Sequence, residues 1–300
     1  MNRRDFLKYA LILTQLNSFA SPSESEPIKQ KQSEQKPFES KEKRPIILCF
    51  DGSYNLNKWR KSIDFAKSLE DLTNEKVHFS YFVNSAYFFE KLEGRSDIGY
   101  GGTKEDIQNR LKLVQEAIDN GHDIASHTVR HLHGHNWTEE QGHKELEEFD
   151  SHLAKLFYKD SKPYKAVGFR APYLEWNSGL YPALKKLNYL YDVSIPGDFK
   201  EEKSGIIIKG LPEYKRDNKS RILGMDYNWT LLKISDTEVE RMFSRELELK
   251  PKEPLIISLH FADYKHGLRS YYETTKDFMK ESAKSGNFSF PSMREFLFQT

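Results

Sequence analysis

The 300-residue chain contains a single cysteine, Cys49. No intrachain disulfide can form, so this is not a disulfide-stapled scaffold. Cys49 sits inside an apolar segment, where buried packing is its expected role. Charge of one sign is also lacking: 46 Lys and Arg face 45 Asp and Glu, a formal net charge of +1. That balance selects neither nucleic acid nor an anionic membrane surface as a partner. The apolar segment near the amino terminus, Tyr9–Leu16, is too short to cross a bilayer, which takes about 20 residues. No internal repeat is visible. The glycine-rich stretch Glu93–Gly102 lacks the Lys-Ser/Thr pair of a phosphate-binding loop and reads as a surface loop rather than a lid.

With 37% hydrophobic and 30% charged residues, the composition fits one soluble enzyme domain plus a tail. Arg3-Arg4-Asp5-Phe6-Leu7-Lys8, the short apolar segment and Ser18-Phe19-Ala20 together read as a twin-arginine signal peptide over residues 1–20. The expected location is therefore a bacterial periplasm or cell surface, with no stable membrane insertion once the signal is removed. Residues 21–43 are mostly Ser, Glu, Lys, Gln and Pro. Such a segment cannot bury enough apolar surface to offset its ordering entropy, so it reads as a disordered linker. Residues 44–300 form the expected single catalytic domain.

Within that domain apolar strands alternate with amphipathic helices, the pattern of a parallel α/β barrel or sheet. Helices are expected over Trp59–Thr73, Lys104–Asn120, from Thr138 to about Tyr158, and over Tyr271–Lys284. Gly121 suits a C-cap, and the boxes Thr138-x-x-Gln141 and Ser235-x-x-Glu238 mark helix starts. Val77–Val83 and Asp123–Ser126 read as strands.

Several strands end in residues that carry chemistry. Pro45–Phe50 leads to Asp51 and Gly52; Asp123–Ser126 leads to His127 and, four residues on, His131; Ala166–Phe169 leads to Arg170-Ala171-Pro172-Tyr173; Tyr191 precedes Asp192; Pro254–Leu259 delivers His260. The carboxyl edge of a parallel sheet is where α/β proteins build their sites. Two imidazoles four apart on one turn need only one carboxylate to complete a three-ligand metal site with an open position. His133 and His135 extend the histidine loop and read as solvated loop or substrate rim. Trp137, Trp176 and Trp229 offer rings of the kind that stack on sugars, although most tryptophans are core residues.

The order Phe50-Asp51-Gly52, Ser126-His127-Thr128-x-x-His131, Arg170-Ala171-Pro172-Tyr173, Asp192-x-Ser194 and Leu259-His260 resembles the five motifs of the polysaccharide deacetylases, carbohydrate esterase family 4. The resemblance spans about residues 44–265. It implies a distorted (β/α) barrel and metal-dependent removal of N-acetyl groups from amino-sugar polysaccharides such as peptidoglycan or chitin. By position it makes His127 and His131 metal ligands and His260 the general acid, oriented by Asp192. Arg170 would fix the catalytic carboxylate, and the Tyr173 backbone N–H would hold the oxyanion. The cofactor implied is a divalent metal, with Zn2+ foremost.

One departure stands out. The family's first motif carries two adjacent aspartates, a base and a metal ligand, and here Asp51 stands alone before Gly52. Aligned on Phe50, Asp51 is the base; aligned on Gly52, it is the metal ligand, the assignment favoured because two imidazoles alone hold an ion weakly. Asp51 serving both roles, assisted by Asp123 or Glu175, is the remaining arrangement. Two rival functions follow: an O-acetyl sugar esterase using the same machinery, and a non-catalytic glycan-binding protein on a deacetylase scaffold.

Overall fold

The structure is a computed structural model that describes residues 43–298 except 176, 178, 196, 198–199, 204, 212, 217–218, 223–224, 232, 250–252, 262–264 and 267–268. The signal segment 1–20, nearly all of the linker 21–43, and Trp176 lie outside the described residues.

The main sheet is built from β1 (Arg44–Asp51), β2 (Ser80–Val83), β3 (Asp123–Ser126), β4 (Gly168–Phe169), β5 (Tyr191–Asp192), β6 (Lys200–Lys203), β7 (Ile206–Lys209), β8 (Leu255–His260) and β9 (Phe288–Ser289). Its order is β8-β1-β2-β3-β4-β5-β7-β6, with β9 paired to the start of β1. All pairings are parallel except β6 with β7. Helices α1 (Leu56–Thr73), α2 (Lys104–Asp119), α3 (Glu139–Leu156), α4 (Leu180–Lys186), α5 (Asp226–Leu231), α6 (Asp236–Leu249), α7 (Tyr271–Lys284) and α8 (Met293–Phe298) fill the intervals. This is the curled parallel sheet of a distorted (β/α) barrel, as expected from the alternation of elements.

The helix starts follow from local chemistry. Thr138 accepts from the Gln141 amide while Gln141 returns a bond to the Thr138 amide, and Thr103 does the same with Asp106. Asn55 caps α1 through the Lys58 amide. Each cap satisfies otherwise orphaned donors and contributes about 1 kcal/mol. Helix α3 stops at Leu156 rather than Tyr158, because Tyr158–Lys159 turns into a two-residue hairpin with Lys162–Pro163.

Two faces of β1 do different work. Phe50 turns to an aromatic core, stacked 5.2 Å from Tyr81, which in turn stacks 4.6 Å from Trp59. Cys49 and Asp51, one residue to either side, alternate to the opposite face, as strand geometry demands. Cys49 is fully buried, and burial pushes its thiol up to about 12. Trp229 is also fully buried, packed against Phe243 and Tyr271, so it is a core residue and offers no face to a sugar.

His122, just before β3, is a buried histidine that must stay neutral. Its Nδ1 accepts the Phe79 amide at 3.0 Å, a role that protonation would abolish. Burial, with a smaller contribution from His78, pushes its pKa from 6.5 down to about 3. A histidine depressed in the folded state leaves the unfolded chain binding the extra proton, so its contribution is intact above pH 6.5 and lost as pH falls towards 3. The expected loss over that interval is on the order of 4 kcal/mol. Denaturant midpoints compared at neutral and acidic pH should therefore diverge more for the wild type than for His122→Asn, whose amide oxygen keeps the acceptor without titrating. Equal divergence in both chains would remove His122 as the cause.

Candidate active site

The carboxyl ends of β1, β3, β4 and β8 converge on one buried cluster. Asp51 lies opposite His260 in the β1–β8 register, and opposite Phe82 on its other side. Gly52 follows at φ +88°, a conformation that side chains other than glycine's disfavour, and it turns the chain out of the strand. The Arg170 guanidinium, wholly buried, meets Asp51 Oδ1 through Nη1 at 2.7 Å and lies over the Phe82 ring at 4.2 Å. Burial by itself would push the Asp51 carboxyl up. Arg170, with His127 and His260 behind it, outweighs burial and holds the carboxyl below its ordinary value.

His127 Nδ1 donates to the Arg170 carbonyl at 2.8 Å. A carbonyl only accepts, so Nδ1 carries the proton and Nε2 presents a lone pair. Burial lowers the His127 pKa to about 3 and lowers that of His131 as well, keeping both imidazoles neutral. Their ring centres stand 4.9 Å apart, nearly perpendicular, and His131 Nδ1 is buried without a hydrogen-bond partner.

The loop between them carries two left-handed residues, Thr128 at φ 66° and His131 at φ 56°. Such residues cost of order 1–3 kcal/mol each and persist only where surrounding structure imposes them. Here the Glu145 carboxylate, from α3, accepts both the Val129 and Arg130 amides at 3.0 Å, and Asn84 donates to the His127 carbonyl. Glu145 also bonds the Arg130 guanidinium at 3.1 Å. The glycine-rich stretch runs alongside, tied to this loop by the Asp97 amide on the Arg130 carbonyl and by Arg130 Nε on the Glu93 carbonyl.

His260 departs from expectation in its partner. Its Nδ1 donates to Asp226 Oδ1 at 2.6 Å, and its amide donates to Asp226 Oδ2 at 2.9 Å. Asp226 opens α5 next to a parallel bridge between Met225 and Ser258 of β8, which brings its carboxylate to the end of that strand. Burial would lower the His260 pKa, but Asp226, aided by Asp51, raises it above the ordinary value.

The expected Asp192–His260 pairing is therefore corrected. Asp192, fully buried on β5, accepts from the Ser194 amide at 2.9 Å and the Ser194 hydroxyl, and from the Tyr181 hydroxyl at 3.3 Å. Ser194 Oγ in turn accepts the Ala171 amide at 2.7 Å, so Asp192 braces the turn that carries Arg170. Burial pushes its carboxyl up to about 6. Asp226 was missed because it ends no apolar strand; the available signal was an acid at a helix start, in Met225-Asp-Tyr-Asn-Trp229.

Asp123 makes none of these contacts and is bonded instead to the Tyr191 and Ser80 hydroxyls. Glu175 instead accepts from His133 Nδ1 at 2.9 Å and His135 Nδ1 at 3.1 Å. Tyr173, at φ 56° and half exposed, lies edge-on to His131 at 4.6 Å and stacks flat on His133 at 4.0 Å. The amides of Leu174 and Glu175 donate within the same turn, to the Ala171 and Pro172 carbonyls.

The donor chemistry of Asp51, His127 and His131, one ionised carboxylate and two neutral imidazoles with an unpartnered buried nitrogen, fits a divalent ion. Asp51 Oδ1 is engaged by Arg170. Among the described residues, the trio whose potential ligand atoms all lie within 4.8 Å of one another is His133, His135 and Glu175.

Comparison with known proteins agrees with this architecture. The polysaccharide deacetylase family pattern matches residues 39–191. A Mycobacterium smegmatis protein described as a polysaccharide deacetylase superposes with a TM-score of 0.57 at 14% identity, over 89% of this chain and 93% of that one. A peptidoglycan N-acetylglucosamine deacetylase superposes at 0.52 and 16% identity, over 86% and 89%. A family pseudoenzyme from Bacillus anthracis superposes at 0.51 and 8% identity, over 85% and 66%. At these identities the likeness speaks for the fold. No curated protein matches. The family pattern covers half of the chain, including the strand ends that carry Asp51, His127 and Arg170, and the chain belongs to the polysaccharide deacetylase family.

Proposed function

We propose that this chain is an exported, metal-dependent polysaccharide N-deacetylase acting on N-acetylglucosamine-containing glycan, peptidoglycan foremost. The observation that carries the reading is the convergence of a held carboxylate, a neutral imidazole pair and a carboxylate-bound histidine at one end of the sheet. The twin arginines Arg3 and Arg4 support export.

Asp51, His127 and His131 would hold the divalent ion, Zn2+ foremost. When bound, the ion supplies Lewis-acid polarisation of the amide carbonyl and an acidified water. The lowered pKa of Asp51 favours a ligand over a base: it is held as an anion, whereas a general base works best with a pKa near the operating pH. Arg170 fixes its orientation. A water that has shed one proton to solvent adds to the carbonyl carbon as hydroxide. As the C–N bond breaks, His260 donates its proton to the departing sugar nitrogen, giving a free amine and acetic acid, whose ionisation to acetate returns a proton to His260. Its raised pKa suits that step, and Asp226 both orients and charges it. The Tyr173 N–H is the oxyanion donor in this reading, a contribution of about 10²–10³ in rate where such donors have been removed.

A second reading is favoured by the first motif, where Asp51 stands alone and the family has two adjacent aspartates: a glycan-binding protein without catalysis. One assay separates them. The purified protein should release acetate from N-acetylglucosamine oligomers or peptidoglycan, stop after chelation and resume with added Zn2+. No release from a folded chain favours the binding protein. Metal content should also fall in Asp51→Ala; full occupancy there would exclude Asp51 as a ligand.

A further inference from the structure

We propose that His133, His135 and Glu175 form a second divalent-metal site of zinc type at the exposed rim of the buried cluster, separate from the Asp51, His127 and His131 set. The donors come from two loops, the one after β3 and the turn after β4. Each imidazole addresses a different carboxylate oxygen, and the three donor atoms fall within 4.8 Å of one another. Tetrahedral zinc with ligands at about 2.0–2.2 Å sets neighbouring ligand atoms roughly 3.3–3.6 Å apart. Half-exposed histidines can make that small adjustment, each imidazole moving slightly off the carboxylate oxygen it now meets at 2.9 or 3.1 Å, and an ion reaches them without any opening of the fold.

The two loops are already joined independently of any ion. Asn177 Nδ2 donates to the Gly134 carbonyl at 2.6 Å, and Gly179 closes the turn through Asn177 Oδ1 at 2.8 Å. Gly134, the residue between the two histidines, lies against the Glu175 backbone: a Cβ there would be in ordinary contact, 3.4 Å, with the Glu175 carbonyl. The backbone thus presents His133, His135 and Glu175 together, which is the preorganisation a metal site requires. His133 is fixed further by its flat stack on Tyr173.

His135 has an outer partner as well. The Asn136 side-chain amide lies 2.8 Å from His135 Nε2. Exchanging the amide nitrogen and oxygen, which share one shape, makes Oδ1 the acceptor for Nε2–H and turns the Nδ1 lone pair towards Glu175. A ligating histidine that donates its other nitrogen to a carbonyl is the usual outer arrangement of a metal site. The donor set of two imidazoles and one carboxylate leaves a coordination position open, and imidazole donors favour zinc, nickel and copper over magnesium or calcium. Because Tyr173 touches both His133 and His131, a loaded rim would hold that ring in place over the buried pair.

The test compares bound zinc in the full-length wild type and in His133→Ala/His135→Ala, both stripped by chelator, dialysed against micromolar Zn2+ and analysed by atomic absorption. The expected result is a difference of one zinc per chain. That difference reads the rim alone, whether the Asp51 set holds an ion or not, so failure of the proposed deacetylase reading leaves it unchanged. Glu175→Gln should weaken the same equivalent by more than about tenfold. Since both histidines are exposed and Glu175 partly so, circular dichroism should show the variants folded. Equal zinc content in wild type and double variant overturns the proposal.

Discussion

Alanine in place of His260 is expected to lower kcat on an N-acetylated glycan by about 10²–10⁴, the range supplied by a positioned general acid. The sugar amine cannot leave as an anion, and in the proposed scheme His260 is the group that protonates it. The more informative variant is Asp226→Asn. It preserves the shape around His260 but removes the negative charge that raises the histidine's pKa. Since the acid form is active, activity falls as pH rises through that pKa. With the pKa lowered, the alkaline limb of kcat/KM moves to lower pH. Asp192→Asn should leave that limb in place, because the Asp192 carboxylate is bonded to Ser194 and Tyr181. A limb that moves with Asp192 and not with Asp226 would reverse the assignment. Measuring kcat/KM across the pH range for the three chains decides it.

Arg170→Leu is expected to destabilise the fold by about 3–5 kcal/mol, the cost of leaving one partner of a buried ion pair alone. Asp51 is 4% exposed and Arg170 wholly buried, so solvent cannot take over from the lost guanidinium. Asp51→Leu/Arg170→Leu should recover part of the loss, since an apolar pair leaves no charge to solvate. Urea denaturation of both variants and the wild type measures this at constant pH. A single-variant loss near zero would mean that water reaches Asp51 in solution.

The legible part of the site was the part that ends strands. Asp51, His127, Arg170 and His260 each follow an apolar run, and a parallel sheet gathers such ends along one edge whatever the helices between them do. Helix starts were legible because capping boxes are local chemistry, as at Thr138 and Gln141. Strand lengths were not: the stretch read as Ala166–Phe169 pairs only over Gly168–Phe169, because pairing depends on where neighbouring strands stop. Asp226 was hidden for a related reason. It reaches His260 through a one-residue bridge at a helix start, an arrangement set by tertiary packing that leaves no periodic trace. Asp192 showed the trace without the contact. Glu175 lies 42 and 40 residues from His133 and His135 in sequence, and its engagement by them rather than by Asp51 is a product of the folded loops.

Arg170 holds two members of the buried cluster at once. Its guanidinium grips Asp51, while its own carbonyl fixes the proton on His127. The aim of the acid and the aim of the imidazole therefore share the torsions of one residue and cannot drift independently. Errors at the two positions are correlated, so a small rotation of this peptide misdirects both together. Compensating changes for a displaced Asp51 should then arise in the turn around Arg170, where Ser194 and Asp192 hold the Ala171 amide, rather than along β1 itself.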